Sequence, residues 1–229
     1  MLSPRPKPAP RNPYGIRFTA SKGISWHPKD VQAVLAAARR IAQQLWRVAS
    51  KQARVTAKLE GTPRVRVAKP AQVFRQVLGP VTFRRVGGSC GEKCWADTVQ
   101  WPIVRVYEGV GPGMYRSQNA THELGHGFDR EAKWIPIQAL GSKPIEYTDG
   151  KGTNISLTTG SRRVQDGFAQ TCYEPCTWQG NPARSEGEEF ADMFLGWTYN
   201  HFAIDVYGEA RFSWMEDHMA LWISSAFGR

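Results

Sequence analysis

The sequence has no long hydrophobic run, and none reaches the roughly 18 apolar residues that a membrane-spanning helix needs. Its first residues include Pro and Arg where a secretory signal needs an apolar core, so we expect no export signal. We therefore expect a soluble protein that stays in the cytoplasm or is released by a non-classical route. The 229 residues, 41% apolar and 11% aromatic, are typical of one globular domain and not of a disordered chain.

Acidic residues are scarce in the first part of the chain. Residues 1–100 hold 19 Lys and Arg but only 4 Asp and Glu, whereas residues 101–229 hold 11 and 16. The net charge of +10 therefore comes entirely from the first 100 residues. A basic region of this kind occurs in proteins that bind nucleic acid or another anionic partner, and also on ordinary solvated helix faces. No interleaved aromatic residues accompany the charge, which slightly favours the solvated faces.

Cysteines are few and fall into two similar pairs, Cys90 with Cys94 and Cys172 with Cys176. Two short disulfides, two disulfides between the pairs and one four-thiolate zinc site all fit this pattern. Structural zinc usually uses a tighter Cys-x2-Cys spacing at least once, which weakens the zinc alternative. The missing export signal argues against disulfides, so the sequence leaves the role of these structural Cys pairs open.

The start of the chain is predicted to be an extended basic arm. Residues 1–24 are rich in Pro, Arg, Lys and Gly and show no periodicity. Pro28 then stands where a helix would begin, and apolar residues recur at helical spacing after it. The apolar positions are Val31, Val34, Leu35, Ala38, Ile41, Leu45 and Val48. We therefore predict a long amphipathic helix whose basic residues lie mostly on its wet side.

The next part of the chain predicts a small set of strands and short helices. Val65–Val67, Val81–Phe83 and Ile103–Tyr107 have the alternation or apolar content of strands. Ala71–Leu78 fits a short helix, and Ser117–Glu131 is helical by pattern. The order of a helix followed by mixed strands and further helices predicts an α+β fold.

The remaining chain divides into an irregular part and two helices. Between Lys133 and Arg184 there is little periodicity, and loops of this length are usually functional or held by cross-links. A helix is expected to open at Ser185, with Phe190, Met193, Phe194 and Trp197 on one face, and a last helix is expected at about Ser213–Ser224.

The most informative motif is His122-Glu123-Leu124-Gly125-His126 on the helix predicted at Ser117–Glu131. Residues four apart lie on one helix face, so His122 and His126 can bind one metal ion. Glu123 would lie beside the ion without binding it, placed to take a proton from water at the metal. An exposed helix with two solvated histidines is the alternative interpretation.

A catalytic zinc ion needs a third protein ligand, which the motif does not contain. The residues from Gly127 to Ala132 provide no His at the short metzincin spacing. Glu188 and Asp192, four residues apart on the helix predicted after Ser185, could supply a ligand and a carboxylate that orients a ligating His. Ser185-x-x-Glu188 is also a capping-box pattern, so Glu188 could serve only as a cap, with Glu189 as the fallback ligand.

These two motifs resemble those of the gluzincin zinc metallopeptidases. The closest likeness is to the lethal factor and Pro-Pro endopeptidase type, and Glu188-x-x-Ala191-Asp192-x-Phe194 also resembles the ligand helix of ImmA/IrrE-type peptidases. The resemblance implies a zincin-like domain at residues 25–229 with one zinc ion, held by His122, His126 and Glu188. It also implies that Glu123 is the general base and that Asp192 supports a ligand. The 62 positions between His126 and Glu188, the basic arm and the paired cysteines depart from the family pattern.

The resemblance also implies a residue that stabilises the oxyanion formed during peptide hydrolysis. The lethal-factor type has a Tyr one or two turns before its ligand Glu, but Asn181 stands there in this chain. Tyr173 is the nearest upstream substitute, and Tyr147, Tyr199 and His201 are further options.

The sequence therefore predicts a zinc-dependent endopeptidase, a monomer that acts on a protein or peptide substrate. One alternative is a nucleic-acid-associated protein whose basic first half binds DNA or RNA and whose zinc site is structural or degenerate. A SprT-like protease delivered to DNA would combine both, although that group normally uses a third His. A metal-stabilised structural module is the third option.

Overall fold

A computed structural model describes residues 12–63, 66–90, 94–159, 166–169 and 185–227. In this part of the chain the helices are α1 Pro28–Glu60, α2 Pro70–Leu78, α3 Ser117–Glu131, α4 Ile135–Ser142, α5 Glu186–Tyr199 and α6 Val206–Phe227. The strands are β1 Arg17–Ala20, β2 Thr82–Val86, β3 Ala96–Gln100, β4 Ile103–Tyr107, β5 Ile145–Thr148 and β6 Asn154–Leu157. The fold is α+β, as the sequence predicts.

Four strands form a mixed sheet in the order β1-β2-β4-β3. β1 runs parallel to β2 and β2 runs parallel to β4, whereas β3 pairs with β4 in the antiparallel direction. β3 and β4 are consecutive in the chain, and their connection contains the cis peptide bond between Trp101 and Pro102. β3 therefore lies at one edge of the sheet, where it contacts α3.

The basic arm predicted at residues 1–24 needs a correction. Arg17–Ala20 pairs with β2 along its whole length, so the end of the expected arm is a strand of the sheet. Ile16 just before it is buried, and Asn12 accepts hydrogen bonds from the backbone of Tyr14 and Ile16. Four residues with one buried neighbour carry too little alternation to be recognised as a strand, and residues 1–11 lie outside the described part.

The long first helix forms where the sequence predicts it. Pro28 is at its first turn, the His27 ring accepts a hydrogen bond from the Lys29 N–H at 3.2 Å, and Gly61 ends the helix with a φ of 63°. Its apolar stripe is buried, with Val34, Ala38, Ile41 and Leu45 at or near zero exposure. Because α1 also contacts α2, α3, α5 and α6, it is the central helix of the helical layer.

The interval expected to be irregular contains an additional helix and a hairpin. α4 begins after Lys133 and Trp134, both of which have positive φ angles, and the Asp129 carboxylate accepts a hydrogen bond from the Ile137 N–H at 3.2 Å. Asp129 of α3 therefore caps the first turn of α4. This cap could not be predicted from the sequence, because Asp129 belongs to a different helix. β5 and β6 form an antiparallel hairpin that packs on α6.

Other boundaries differ from the prediction. β3 was not expected, residues 66–69 near the strand predicted at Val65–Val67 are not a strand, and α6 begins at Val206 instead of Ser213. Position 65 lies outside the described residues. Among the described residues, no helix combines the length and apolar character of a membrane span.

The first cysteine pair forms a disulfide. Cys90 and Cys94 are bonded, with their Cα atoms 5.3 Å apart. This finding excludes the pairing between the two Cys pairs and the four-thiolate zinc site for these residues. Cys172 and Cys176 lie outside the described part of the chain.

Candidate metal centre

The site is built where α3 packs against α5. The Phe128 ring of α3 stacks against two rings of α5, with its centroid 6.2 Å from that of Phe190 and 5.2 Å from that of Phe194. A Cβ at Gly125 would lie 3.1 Å from the Ala191 Cα, so this glycine lets the two helix backbones approach closely. The close approach also brings the polar residues of α3 and α5 into contact, with His122 of α3 beside Glu188 and Asp192 of α5.

Three predicted ligands converge on this polar side. Glu188 Oε2 lies 3.1 Å from His122 Nε2, and Glu188 Oε1 lies 3.6 Å from His126 Nε2. Tetrahedral coordination with ligand distances of about 2.0–2.1 Å places neighbouring ligand atoms about 3.3 Å apart. The two contacts, one to each Glu188 oxygen, are close to that value, and with one ligand atom from each residue all three atoms lie within 4.8 Å of one another. The group could therefore hold a metal ion.

The two imidazole rings are held differently. His122 Nδ1 lies 2.9 Å from Asp192 Oδ1, opposite the nitrogen that faces Glu188. Burial opposes the charged form of His122, but the hydrogen bonds to Asp192 and Glu188 outweigh it and raise the pKa of His122 well above its usual value. Burial, together with the charge of His122, lowers the pKa of His126 to about 4. His126 is therefore neutral at pH 7, the form that binds a metal.

The two neighbouring glutamates at the start of α5, Glu188 and Glu189, face different surroundings. The Glu188 N–H donates to Ser185 Oγ at 3.3 Å, so the predicted cap forms while the Glu188 carboxylate faces the histidines. Glu189 is fully buried on another side of the helix, 2.6 Å from the buried Arg211 guanidinium. The cap and ligand positions of Glu188 are therefore compatible, and Glu189 is not a member of the cluster.

Glu123 lies beside the cluster but is not one of its three members. It is 8% exposed, and its Oε2 accepts a hydrogen bond from Thr98 Oγ1 on β3. Burial raises the pKa of Glu123 to about 7, against the opposing effects of the His122 charge and the Thr98 hydrogen bond. A carboxyl group with this pKa can both accept and release a proton near neutral pH.

The residues considered for the oxyanion are not brought to the site in the described structure. Tyr173 lies outside the described residues. Tyr199 is eleven residues after Glu188 at the far end of α5, which corresponds to about 16 Å along the helix, and His201 lies beyond it. The Tyr147 hydroxyl lies 3.4 Å from Glu209 Oε2 on the hairpin side of α6.

Sequence reasoning missed two residues, Thr98 of β3 and Arg130 of α3, whose hydrogen bonds join β3 to the helix that carries the two histidines. Thr98 belongs to a strand that was not predicted, and no motif spacing relates it to Glu123. Arg130 follows His126 by one helical turn and donates to the Val99 carbonyl at 3.2 Å. The four-residue spacing places Arg130 on the histidine face and could have identified it.

The comparisons with known proteins do not add a family to this geometry. No protein-family model, no curated protein and no solved structure matches the chain.

Proposed function

We propose that this protein is a metal-dependent peptidase with a zincin-like domain, whose metal is held by His122, His126 and Glu188. The convergence of these three side chains carries the proposal, since two come from a five-residue motif and the third from a helix 62 positions further on. Zinc is the ion that this ligand set suits best. The 2.9 Å contact between Asp192 and His122 adds support, because ligating histidines usually bond a carboxylate through their other nitrogen.

The donor set fits a catalytic ion better than a structural one. Structural zinc sites have four protein ligands, whereas catalytic sites have three and leave one position for water or substrate. In the described residues the group has three members, and their side chains are 16–23% exposed. When bound, the ion would polarise the scissile carbonyl and lower the pKa of water at the site.

Glu123 is the proton-transfer group in this proposal. It takes a proton from the attacking water and passes it to the leaving amine, a role suited to a carboxyl group whose pKa is about 7. Asp192 holds the His122 ring with Nε2 toward Glu188, so that these two side chains would bind the ion together. The packing of Phe128 against α5 keeps Glu188 at the fixed distance that ligation needs.

The edge strand β3 supplies a place for the substrate main chain beside Glu123. Strands at a sheet edge can pair with an extended peptide. Val99 and Trp95 are 63% and 40% exposed, so this edge presents apolar side chains to solvent. A mixed sheet whose antiparallel edge strand contacts the metal-site helix supports the zincin-like assignment.

The nucleic-acid alternative receives less support. The exposed basic residues of the described first half are distributed over β1, α1, α2, β2 and the connections between them. Two of the α1 cations also have partners within the molecule: Arg47 is paired with Glu216, and Arg40 donates to the Thr198 carbonyl. The solvated helix faces considered from the sequence account for this distribution.

The decisive experiment combines metal analysis with a peptidase assay. We expect the purified protein to bind one Zn²⁺ and to cleave casein or a peptide library. Glu123→Gln should keep the metal but lose at least about 100-fold in kcat, and His126→Ala should lose both metal and activity. Full activity of Glu123→Gln would exclude the mechanism, and salt-sensitive binding to DNA without hydrolysis would favour the nucleic-acid alternative.

A further inference from the structure

We propose, on the basis of the peptidase function proposed above, that Thr98 of β3 is a positioning residue that fixes the Glu123 carboxylate for proton transfer. The two residues are 25 positions apart and belong to different layers of the fold. In the described part of the chain, the hydrogen bonds of the Thr98 hydroxyl go to Glu123 and not to either histidine, so we expect its effect to pass through Glu123.

The hydrogen-bond geometry assigns different tasks to the two carboxylate oxygens of Glu123. Thr98 Oγ1 donates to Glu123 Oε2 and also lies 3.3 Å from the Glu123 carbonyl oxygen. A hydroxyl has one proton, and a carboxylate is the stronger acceptor, so the proton goes to Oε2. The described residues supply no donor to Oε1, which leaves Oε1 to exchange a proton with water.

Thr98 is itself held in one orientation. A β-branched side chain in a strand has few allowed χ1 angles, so the hydroxyl direction follows from the backbone of β3. Thr98 is 6% exposed and Glu123 is 8% exposed, so bulk water competes weakly for either group. Glutamate has three side-chain torsions, and without an anchor its carboxylate would populate several rotamers.

The contact is separable from the packing that holds β3 and α3 in place. β3 is paired with β4, and Asp97 and Arg105 of these strands form a salt bridge at 2.7 Å. α3 is fixed by the buried Leu124 and Phe128. Thr98→Val therefore removes the hydroxyl with little change in shape, while the strand and the helix keep their own supports.

The test compares metal-loaded wild type with Thr98→Val, Thr98→Ser and the matched control Thr19→Val on β1, the opposite edge of the sheet. We expect Thr98→Val to lose about 10- to 100-fold in kcat with little change in KM, since misplacing a catalytic group by about 1 Å has effects of this size. Thr98→Ser, which keeps the hydroxyl, should stay within a few-fold of wild type. Thr19→Val should be unchanged, and all four proteins should bind metal equally.

Several results would overturn the assignment of Thr98. These are an unchanged kcat in Thr98→Val, a loss confined to KM, an equal loss in Thr98→Ser, and a loss of metal from Thr98→Val. The first would show that the hydroxyl is dispensable, and the second would indicate a substrate contact. The third and fourth would indicate a packing role.

A second readout does not depend on peptidase activity. The ¹³C resonance of the Glu123 carboxyl can be assigned by its absence in Glu123→Gln, and it should shift in Thr98→Val but not in Thr98→Ser or Thr19→Val. If wild type cleaves no peptide, the proposed function fails while this resonance still decides whether Thr98 holds the carboxylate. An unshifted resonance in Thr98→Val would overturn the inference even in an active enzyme.

Discussion

Asp192 Oδ1 and His122 Nδ1 are 2.9 Å apart, so the carboxylate of α5 bonds the nitrogen that does not face Glu188. The contact orients the His122 ring so that Nε2 faces Glu188. It also joins α3 and α5 through a ring of the proposed metal site, so we expect metal affinity to depend on this contact between the helices.

Asp192→Asn should weaken metal binding without abolishing it. The amide oxygen still fits beside the His122 ring but is a poorer acceptor, and we expect the affinity for Zn²⁺ to fall about 10-fold. Competition with a chromophoric chelator measures this change. Asp217→Asn, an exposed position on α6, is the matched control and should bind as wild type does. Equal affinities for both variants would contradict the role of Asp192.

The adjacent glutamates of α5 should give opposite results when each is changed to Gln. Glu188→Gln removes the charge of a proposed metal ligand, so we expect metal binding to be lost. Because the Glu188 side chain is partly exposed, we expect the free energy of unfolding of the metal-free protein to change little. Glu189→Gln removes the charge of the carboxylate that pairs with the fully buried Arg211, and breaking such a pair costs about 3 kcal/mol or more. Metal titration and urea denaturation of both variants distinguish these outcomes. Metal loss in Glu189→Gln with normal binding in Glu188→Gln would reverse the ligand assignment.

Asp129→Asn should stabilise the metal-free protein at neutral pH but not in acid. Burial raises the pKa of Asp129 to about 6, although the Ile137 N–H acts to lower it. Because this pKa is above the usual value, the folded protein binds more protons than the unfolded chain between about pH 4 and pH 6, and stability falls as pH rises through that range. Asn has no charge to bury and can still accept the Ile137 hydrogen bond.

The expected gain in the free energy of unfolding is therefore near zero at about pH 4 and about 1–3 kcal/mol at pH 7. Denaturant unfolding of wild type and Asp129→Asn at both pH values measures it. A gain that is equal at the two pH values would show that the Asp129 carboxyl is not the group responsible.

Gly127→Ala should destabilise the protein through Trp101. A Cβ at this position would lie 2.2 Å from the Trp101 ring, which packs directly over α3. The ring must move, and overpacking of this kind usually costs about 1–3 kcal/mol. Thermal unfolding should show the loss, and Trp101→Leu combined with Gly127→Ala should restore part of it. Gly150→Ala meets no atom within 4 Å and is the control. A Gly127→Ala protein as stable as that control would contradict the close contact.

Much of the helical framework could be predicted from the sequence because helices carry their own periodicity. The stripe of α1, the ends of α3 and the opening of α5 at Ser185 depend on residues three or four positions apart. The strand at Ile103–Tyr107 was also found at its observed limits. β1, β3 and α4 could not be recognised in the same way, since β1 and β3 have four and five residues and Asp129, the residue that caps α4, belongs to another helix.

The sequence alone determined which residues can carry the chemistry, since the spacing of His122, Glu123 and His126 places them on one helix whatever the fold. It also limited the candidates for a third ligand to two adjacent glutamates. Only the tertiary structure distinguishes the positions of the two, because it buries Glu189 against Arg211 and turns Glu188 to the histidines. It likewise revealed the contact from Thr98 to Glu123, which depends on how an edge strand meets a helix and not on any distance along the chain.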